Sequence, residues 1–458
     1  MVLAPSLALL LVIQEGGLSA LETASPKPNV VVLMLDTLRP DHLGFFGYPK
    51  PTSPFLDSLA AESAVFLEAR STTSWTAPAC ASLFTGHYPP AHGVLEGFFA
   101  HRRRADRVED ESPEILVLNR IPEDMKVLPE YFQDAGYRTY CLATNLNIGP
   151  EIGFDRGFDH FVCLDDATAD VAAKELEKWR EEAASSDQPY FLYLHLMDVH
   201  MPYHAREPLY EAHEDETHDA RSRYDSEILF MDGWLEKIFT RWGWGPETLL
   251  VALSDHGEEF GEHGEIGHRH SLHVELNRIL LMFRGPGVRP GKIPYLGGIH
   301  DVLPTLLDLA NLPPPEEGTG SSLGPLLRGI ASKDEELGFR DRTLFAHRAK
   351  FRPKTSHLWA ANYKGFRMIQ DAGVDLFFDL ARDPFEELNR VSMLPILSQD
   401  VRVKLWDFRR IGFGNRSTPI EIELDPDTLS LLDALGYVDS DEDSEDGEPG
   451  LDRQPEGP

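Results

Sequence analysis

The feature that most constrains the fold is a series of apolar runs, each of which ends at polar residues. The first run, residues 29–36, is an unbroken β-branched and aliphatic stretch that ends in an acid. Such a run predicts a strand buried on both faces, as in a parallel sheet. Similar runs cover residues 138–145, 190–197 and 248–253, and segments with helical spacing lie between them. This alternation predicts an α/β fold with a mostly parallel sheet sandwiched by helices.

The side chains that follow these predicted strands are types that bind metal ions or anions. They are Asp36, Asn145, Asp198 with His200, and Asp255 with His256. Ligands of an open parallel sheet bind at the carboxyl ends of its strands, so we expect these side chains to face one site. Asp36, Asp255 and His256 offer carboxylate and imidazole ligands that suit one divalent cation.

The stretch 74–86 predicts a loop followed by a short helix. Thr76 fits the N-cap, Pro78 fits the first turn and Gly86 fits the end. A hydroxyl at a helix N-terminus favours a tetrahedral oxyanion nearby, although most such residues are only caps. Together with the three strand-end ligands, Thr76 is the predicted fourth ligand and the nucleophile, because a bound cation activates a hydroxyl.

Histidines supply the remaining candidate groups. We expect His200 and His268 to hold the non-bridging oxygens of a substrate and to neutralise developing charge, and one of them to protonate the leaving alkoxide. The other histidines near His268 form either a solvated loop or a separate zinc site, although their spacing lacks regular pairing. His195 lies within a strand and predicts a satisfied core histidine, and Cys80 predicts a small buried residue.

The charge balance excludes several classes of partner. Asp and Glu number 76 against 43 Lys and Arg, which gives a net charge of −33. Binding to nucleic acid or to an anionic membrane is therefore not expected. No apolar run has the length of a membrane-spanning helix, so an integral membrane protein is not expected either.

A chain of 458 residues predicts one large domain and a smaller one. We expect the catalytic domain at residues 29–335, a C-terminal α+β subdomain at 340–437, and an acidic disordered tail at 439–458. Residues 1–23 resemble a short signal peptide but lack its basic n-region. The protein is periplasmic or secreted if that segment is a signal peptide, and cytoplasmic if it is only a leader.

The chain resembles a sulfatase of the alkaline phosphatase superfamily. The matching motifs are residues 29–36 with 38–44, 78–89, 254–258 with 261–264, 284–287, 301–307 and 379–384. The resemblance implies an α/β sandwich with a smaller C-terminal α+β domain. It also implies one bound divalent cation, commonly calcium, and hydrolysis of sulfate esters. Manganese, magnesium and zinc are the other candidates for the cation.

The chain departs from the sulfatase pattern at the residues that perform its chemistry. Sulfatases carry a Cys or Ser that becomes formylglycine, and Thr76 stands there; the supporting Arg is replaced by Cys80. Thr37 replaces the second acid of the usual metal pair, and His268 replaces an expected lysine. After the second strand, Thr144 and Asn145 replace an expected Lys and His, so Asn145 joins the substrate-binding candidates.

A threonine nucleophile is similar to that of phosphoryl-transfer relatives, which include nucleotide pyrophosphatases and phosphonate monoester hydrolases. Several of these hold one cation with the pattern that Asp36, Thr76, Asp255 and His256 reproduce. A second metal would need further ligands, for which Asp198 and His204 are the nearest candidates.

The sequence therefore predicts a metal-dependent hydrolase of small-molecule or glycan sulfate or phosphate esters, with a preference for phosphoryl transfer of the phosphodiesterase or phosphonate monoester hydrolase kind. The alternative is a catalytically silent sulfatase-like protein that binds anionic glycans or a partner. A third reading is a true sulfatase that uses unmodified threonine.

Overall fold

A computed structural model describes residues 27–98, 115–350, 355–411 and 418–423. The predicted leader at 1–23 and the acidic tail at 439–458 lie outside the described residues. Within the described ranges, no helix is both long and apolar enough to cross a membrane.

The strands and helices have the following bounds. The strands are β1 Val30–Leu35, β2 Ala64–Arg70, β3 Ile115–Arg120, β4 Arg138–Ala143, β5 His160–Cys163, β6 Tyr190–Leu196, β7 Leu249–Leu253, β8 Glu259–Phe260, β9 Ile266–Gly267, β10 Arg278–Ile279, β11 Leu281–Arg284, β12 Gly291–Gly298, β13 Thr343–Arg348, β14 Leu358–Tyr363, β15 Phe366–Asp371, β16 Val374–Asp379 and β17 Thr418–Glu423. The α-helices are α1 Pro54–Ala61, α2 Thr76–Thr85, α3 Pro89–His92, α4 Leu128–Asp134, α5 Ala169–Ser185, α6 Glu216–Trp242, α7 Val274–Asn277, α8 Val302–Leu309, α9 Gly324–Arg328, α10 Lys333–Asp341 and α11 Pro395–Arg410. Short 3₁₀ helices cover Pro40–His42, Gly44–Phe46, Leu146–Ile148 and Ile299–Asp301.

The large sheet has the order β10-β2-β11-β7-β1-β6-β4-β5, and β12 pairs with β2. β1 is central, because β6 and β7 flank it and both run parallel to it. All six residues of β1 are buried, and one hydrophobic cluster lies on each face of the sheet. The predicted α/β class and mostly parallel sheet are confirmed.

One predicted helix is partly wrong. The helical spacing of residues 56–66 predicts a helix over that whole range, but α1 ends at Ala61 and β2 begins at Ala64. β2 runs antiparallel to β10 and β11 and parallel to β12, so burial on both sides overrides the local pattern. This edge of the sheet is therefore mixed rather than parallel.

A smaller antiparallel sheet, β13-β14-β15-β16, follows the large one, as the α+β prediction expects. The helix α11 packs on it through Val401, Leu405 and Phe408. Residues 95–125 are rich in charged side chains, which predicts a surface excursion, and the segment contains β3, which pairs antiparallel with β17. Residues 99–114 of that segment are outside the described ranges.

Candidate active site at the carboxyl end of the central strands

The ends of β1 and β7 bring the three predicted metal ligands together. The two strands are parallel neighbours with Met34 opposite Leu253, so Asp36 and Asp255 leave the sheet at the same level. His256 follows directly. One ligand atom from each of the three side chains lies within 4.8 Å of the others, and all three side chains are fully buried.

The hydrogen bonds of Asp36 and Asp255 leave one oxygen of each carboxylate available to bind a cation. Asp255 Oδ1 accepts from the backbone N–H groups of Thr37 at 3.1 Å and His256 at 2.9 Å. Asp36 Oδ2 accepts from Asn145 Nδ2 at 2.8 Å. The other two carboxylate oxygens, Asp36 Oδ1 and Asp255 Oδ2, have no hydrogen-bond partner among the described residues. Two buried orphan carboxylate oxygens are the ligands a divalent cation needs.

The tautomer of His256 completes the fit. Its Nδ1 lies 2.9 Å from the Gly257 carbonyl oxygen, which can only accept, so Nδ1 carries the hydrogen. Its Nε2 therefore presents a lone pair, 3.3 Å from Asp255 Oδ2 and 3.7 Å from Asp36 Oδ1. The donor set of two carboxylates and one imidazole fits a divalent cation.

The electrostatics of the two carboxylates point the same way. Burial, and then the neighbouring Asp255, raise the pKa of Asp36 well above its ordinary value, against the smaller opposing effect of the Asn145 hydrogen bond. Two adjacent carboxylates in a buried place cannot both ionise without a compensating charge. A bound cation would provide that charge.

Thr76 points into this cluster and does not cap its helix. The structure corrects the predicted N-cap, because Trp75 is the N-cap and Thr76 is the first residue of α2. Gly86 ends the helix in the left-handed conformation, as predicted. Thr76 Oγ1 lies 3.3 Å from His256 Nε2 and 3.5 Å from Asp36 Oδ2. The hydroxyl is thus directed at the candidate ligands.

His200 and His268 lie on one side of the cluster. The ring of His268 is 4.6 Å from that of His256 and 5.0 Å from that of His200, measured between centroids. Burial lowers the pKa of His200 to about 4, and burial together with His256 and Arg269 lowers the pKa of His268 well below its ordinary value. Both rings are neutral at neutral pH. The predicted neutralisation of charge by these residues therefore cannot rely on imidazolium ions.

The two rings differ in where their hydrogen sits. His200 Nδ1 lies 2.5 Å from the Met201 carbonyl oxygen, so it carries the hydrogen and Nε2 carries a lone pair. His268 Nδ1 lies 2.9 Å from Glu258 Oε1, and burial raises the pKa of Glu258. Because the pKa of Glu258 is raised and that of His268 is lowered, the neutral form of the pair is favoured. In that form Glu258 carries a proton and donates it in a hydrogen bond to His268 Nδ1, and the ring hydrogen of His268 is on Nε2. His200 then suits proton acceptance and His268 proton donation.

Asp198 and His204, the candidates for a second metal, do not join this cluster. Asp198 Oδ1 accepts from the N–H of Ala169 at the start of α5, at 2.9 Å, and burial raises the pKa of Asp198 to about 7. Both residues line a separate small cavity that also touches His200. Among the described residues, neither belongs to a group with metal-ligand spacing.

The histidines around His268 form pairs with carboxylates. His263 contacts Glu275, His270 contacts Glu259, and His273 contacts Glu386, with N–O distances of 2.6–2.8 Å. The prediction of a solvated loop is therefore wrong for these residues. Glu259, His263 and Glu275 also have the spacing of metal ligands, but the pairing already satisfies them.

Sequence reasoning missed three residues near the site. His195 is fully buried, and neither ring nitrogen has a hydrogen-bond partner in the described part of the chain, so it is not the satisfied core histidine that was predicted. Glu258 orients His268, as described above. The Arg269 guanidinium lies 4.4 Å over the Trp75 ring, and Arg269 adopts φ +78°, which is rare for a side chain of its size. Only His195 had a readable cue, because it lies one residue before the end of a strand whose carboxyl end faces the site.

Comparison with known proteins settles the family. A family model described as Sulfatase matches residues 28–312 of the 458-residue chain. The chain belongs to the sulfatase family. It is thereby assigned to a family of sulfuric ester hydrolases, as the sequence predicted.

Named members of this family are distant in sequence. N-acetylgalactosamine-6-sulfatase of Canis lupus familiaris is 26% identical over 82% of this chain and 84% of its own length. Choline-sulfatase of Rhizobium meliloti is 25% identical over 79% and 82%. The solved structure of phosphonate monoester hydrolase of Agrobacterium radiobacter is 19% identical, with a TM-score of 0.67 over 87% of this chain and 97% of that one. The structural likeness confirms the alkaline phosphatase-like fold.

Proposed function

We propose that this sulfatase-family hydrolase cleaves its ester with Thr76 as nucleophile and that it favours phosphoryl over sulfuryl transfer. The observation that carries the proposal is the position of Thr76 Oγ1, 3.3 Å from His256 Nε2 and 3.5 Å from Asp36 Oδ2. A divalent cation held by Asp36, Asp255 and His256 would activate this hydroxyl and polarise a substrate oxygen as a Lewis acid.

The residues around Thr76 divide the proton transfers. With a cation bound, the Thr76 hydroxyl would lose its proton to solvent, and the resulting Oγ1 alkoxide would attack phosphorus or sulfur in line with the leaving oxygen, so that the ester bond to that oxygen breaks. His268 Nε2 gives its hydrogen to the leaving alkoxide while its Nδ1 takes the proton of Glu258, which becomes a carboxylate and regains a proton from solvent after the turnover. His200 Nε2 then takes a proton from the water that cleaves the Thr76 ester and releases the anion. Two neutral rings with opposite tautomers suit one acid and one base.

The threonine nucleophile and one structural neighbour support the proposed preference for phosphoryl transfer. A threonine ester has no second hydroxyl on its carbon with which to expel the anion, so water must attack phosphorus or sulfur directly. The name of the phosphonate monoester hydrolase neighbour adds phosphonates to the candidates, and the sulfatase relatives keep glycan and small-molecule sulfates among them.

The test is a turnover screen of the purified protein reconstituted with Ca²⁺, Mg²⁺, Mn²⁺ or Zn²⁺. The substrates are p-nitrophenyl phosphate, bis-p-nitrophenyl phosphate, p-nitrophenyl phenylphosphonate and p-nitrophenyl sulfate. Thr76→Ala is expected to lower kcat on the best substrate by on the order of 10³-fold or more. The matched control is Thr85→Ala at the other end of α2, where a buried hydroxyl donates to the Ala81 carbonyl at 2.7 Å and accepts from the His87 N–H at 3.3 Å.

Each outcome of the screen decides between the functions. Higher turnover of a phosphate or phosphonate, lost in Thr76→Ala and kept in Thr85→Ala, supports the proposal. Higher turnover of the sulfate would establish a sulfatase with unmodified threonine and overturn the phosphoryl preference. Bound cation without turnover of any ester would favour the silent, glycan-binding or partner-binding protein. Full activity of Thr76→Ala would exclude Thr76 as the nucleophile.

A further inference from the structure

The helix α2 presents a second metal-binding type of side chain one turn after Thr76. Residues four apart on a helix share a face, so Thr76 and Cys80 both point toward the strand ends. Cys80 is fully buried, and its Sγ lies 3.6 Å from the Tyr193 hydroxyl. One ligand atom each from Cys80, His195 and Asp255 lies within 4.8 Å of the others, and all three residues are buried. Asp255 is shared with the first cluster.

His195 is the observation that points to a ligand at this place. It is the penultimate residue of β6, where the register pairs it with Met34 of β1 and Ala143 of β4, and none of its surface is exposed. Neither of its ring nitrogens has a hydrogen-bond partner among the described residues. The nearest carboxylate oxygen to Nε2 is Asp36 Oδ2 at 3.6 Å, beyond hydrogen-bond length. A buried imidazole without a partner is costly unless something binds it.

The donor types indicate which cation fits. A sulfur, an imidazole nitrogen and a carboxylate oxygen form a borderline-soft set, which suits Zn²⁺ or Co²⁺ and disfavours Ca²⁺ or Mg²⁺. The Asp255 oxygen without a hydrogen-bond partner, Oδ2, is available to both clusters. We propose that Cys80, His195 and Asp255 form a second, zinc-type cation site that shares Asp255 with the site at Asp36 and His256.

Binding at this site would exchange a proton for a cation. Cys80 binds as a thiolate, so its S–H bond breaks, a sulfur–metal bond forms, and the proton passes to solvent with no change in oxidation state. The three ligands leave a fourth tetrahedral position, as in zinc sites that keep an open coordination place.

The test uses Co²⁺, because a cysteine ligand gives a thiolate-to-cobalt charge-transfer band that carboxylate and histidine ligands do not give. The wild-type protein loaded with Co²⁺ is expected to show this band, and Cys80→Ser is expected to lose it. With Zn²⁺, Cys80→Ser and His195→Gln are each expected to lower the bound metal from about two ions per chain to about one. The control is Cys141→Ser, a buried cysteine on β4 that belongs to no candidate ligand group in the described ranges.

The proposal fails if the wild-type protein shows no charge-transfer band, or if Cys80→Ser keeps the band and the zinc content. Thermal unfolding and circular dichroism establish that each variant is folded, and His195→Gln tests the same site if Cys80→Ser is not. The proposal rests on the proposed function only through the shared Asp255. An inactive protein that shows the band would contradict the proposed function alone, and an active protein without the band would contradict the second site alone.

Discussion

Asn145 Nδ2 donates a 2.8 Å hydrogen bond to Asp36 Oδ2, while no hydrogen bond reaches Asp36 Oδ1 in the described part of the chain. Asn145 thus fixes which carboxylate oxygen faces the candidate cation. We expect Asn145→Leu to weaken metal binding by about 10- to 100-fold, as the loss of an outer hydrogen bond to a ligand does. Isothermal titration with Mn²⁺ or Zn²⁺ measures this.

The control for Asn145→Leu is Asn147→Leu, which removes a buried amide two residues away. Asn147 Oδ1 accepts from the Phe98 N–H at 3.1 Å, so its amide is engaged on a different segment from Asp36. Equal loss of metal affinity in both variants would mean that the loop, rather than the hydrogen bond, is responsible.

The hydrogen bond between His268 Nδ1 and Glu258 predicts a leaving-group dependence. An alkyl ester needs a proton on its leaving oxygen, whereas p-nitrophenolate does not. We expect His268→Gln to lower kcat/KM by about 10²- to 10⁴-fold for an alkyl phosphate, and far less for the p-nitrophenyl ester. His200→Gln is expected to affect both esters alike and to leave a burst of p-nitrophenol, because it would slow hydrolysis of the Thr76 ester. If His268→Gln and His200→Gln changed the ratio of kcat/KM between the alkyl ester and the p-nitrophenyl ester equally, the assignment of His268 as acid and His200 as base would be wrong.

Arg269 is expected to contact the anionic group of the substrate. Its guanidinium is buried against Trp75, the residue before Thr76, and its charge lowers the pKa of His268 after the larger effects of burial and His256. We expect Arg269→Met to lower kcat/KM by about 10- to 100-fold, the loss typical of a charge-assisted hydrogen bond. A dianionic monoester should lose more than a monoanionic diester.

The control for Arg269→Met is Arg278→Met, which removes a guanidinium that lies 5.6 Å over Phe46. An unchanged monoester-to-diester ratio in Arg269→Met would exclude contact with the substrate charge.

The pair formed by His263 and Glu275 predicts a pH dependence of stability. The hydrogen bond to Glu275 raises the pKa of His263 from 6.5 to about 9, and the side chain is 20% exposed. The folded state therefore binds the proton more tightly than the unfolded state. The stabilisation is complete below pH 6.5 and is lost as the pH rises through 9, with a limit of about 3 kcal/mol.

Thermal unfolding of the metal-free protein between pH 6 and 10 measures this contribution. His263→Gln should flatten the decline of Tm with pH, whereas His213→Gln, at an exposed position, should not. His273 stacks on His263 at 3.7 Å between ring centroids, so the decline of Tm with pH is also measured in His273→Gln. A decline that persists in His263→Gln would assign the effect to another group.

The residues at the strand ends were predictable because the apolar runs identify the strands and these residues come directly after the runs. Asp36 and Asp255 follow apolar runs, and parallel neighbours place such ends side by side. Thr76 was identified as a helix start, although its hydroxyl turns to the ligands instead of capping the helix. The proton positions on His200 and His268 depend on contacts with Met201 and Glu258. No spacing in the sequence encodes those contacts.

The missed elements depend on distant partners. β2 continues a helical pattern in sequence, and only its pairing with β10, β11 and β12 makes it a strand. The sequence around His195 is typical of a strand, and the sequence around Cys80 is typical of a helix. Both side chains come close to Asp255 only after the sheet and α2 have packed together.

The pairing of β3 with β17 joins parts of the chain that are almost 300 positions apart. Ile115–Arg120 lies in a stretch that interrupts the catalytic half, and within the described ranges its partner strand comes only from Thr418–Glu423. A nascent chain cannot complete this pair until the residues of β17 have been translated. Until then the earlier strand has an open edge, which other chains can join. Shortened versions of the enzyme that stop before position 418 would keep that edge permanently and would be expected to aggregate.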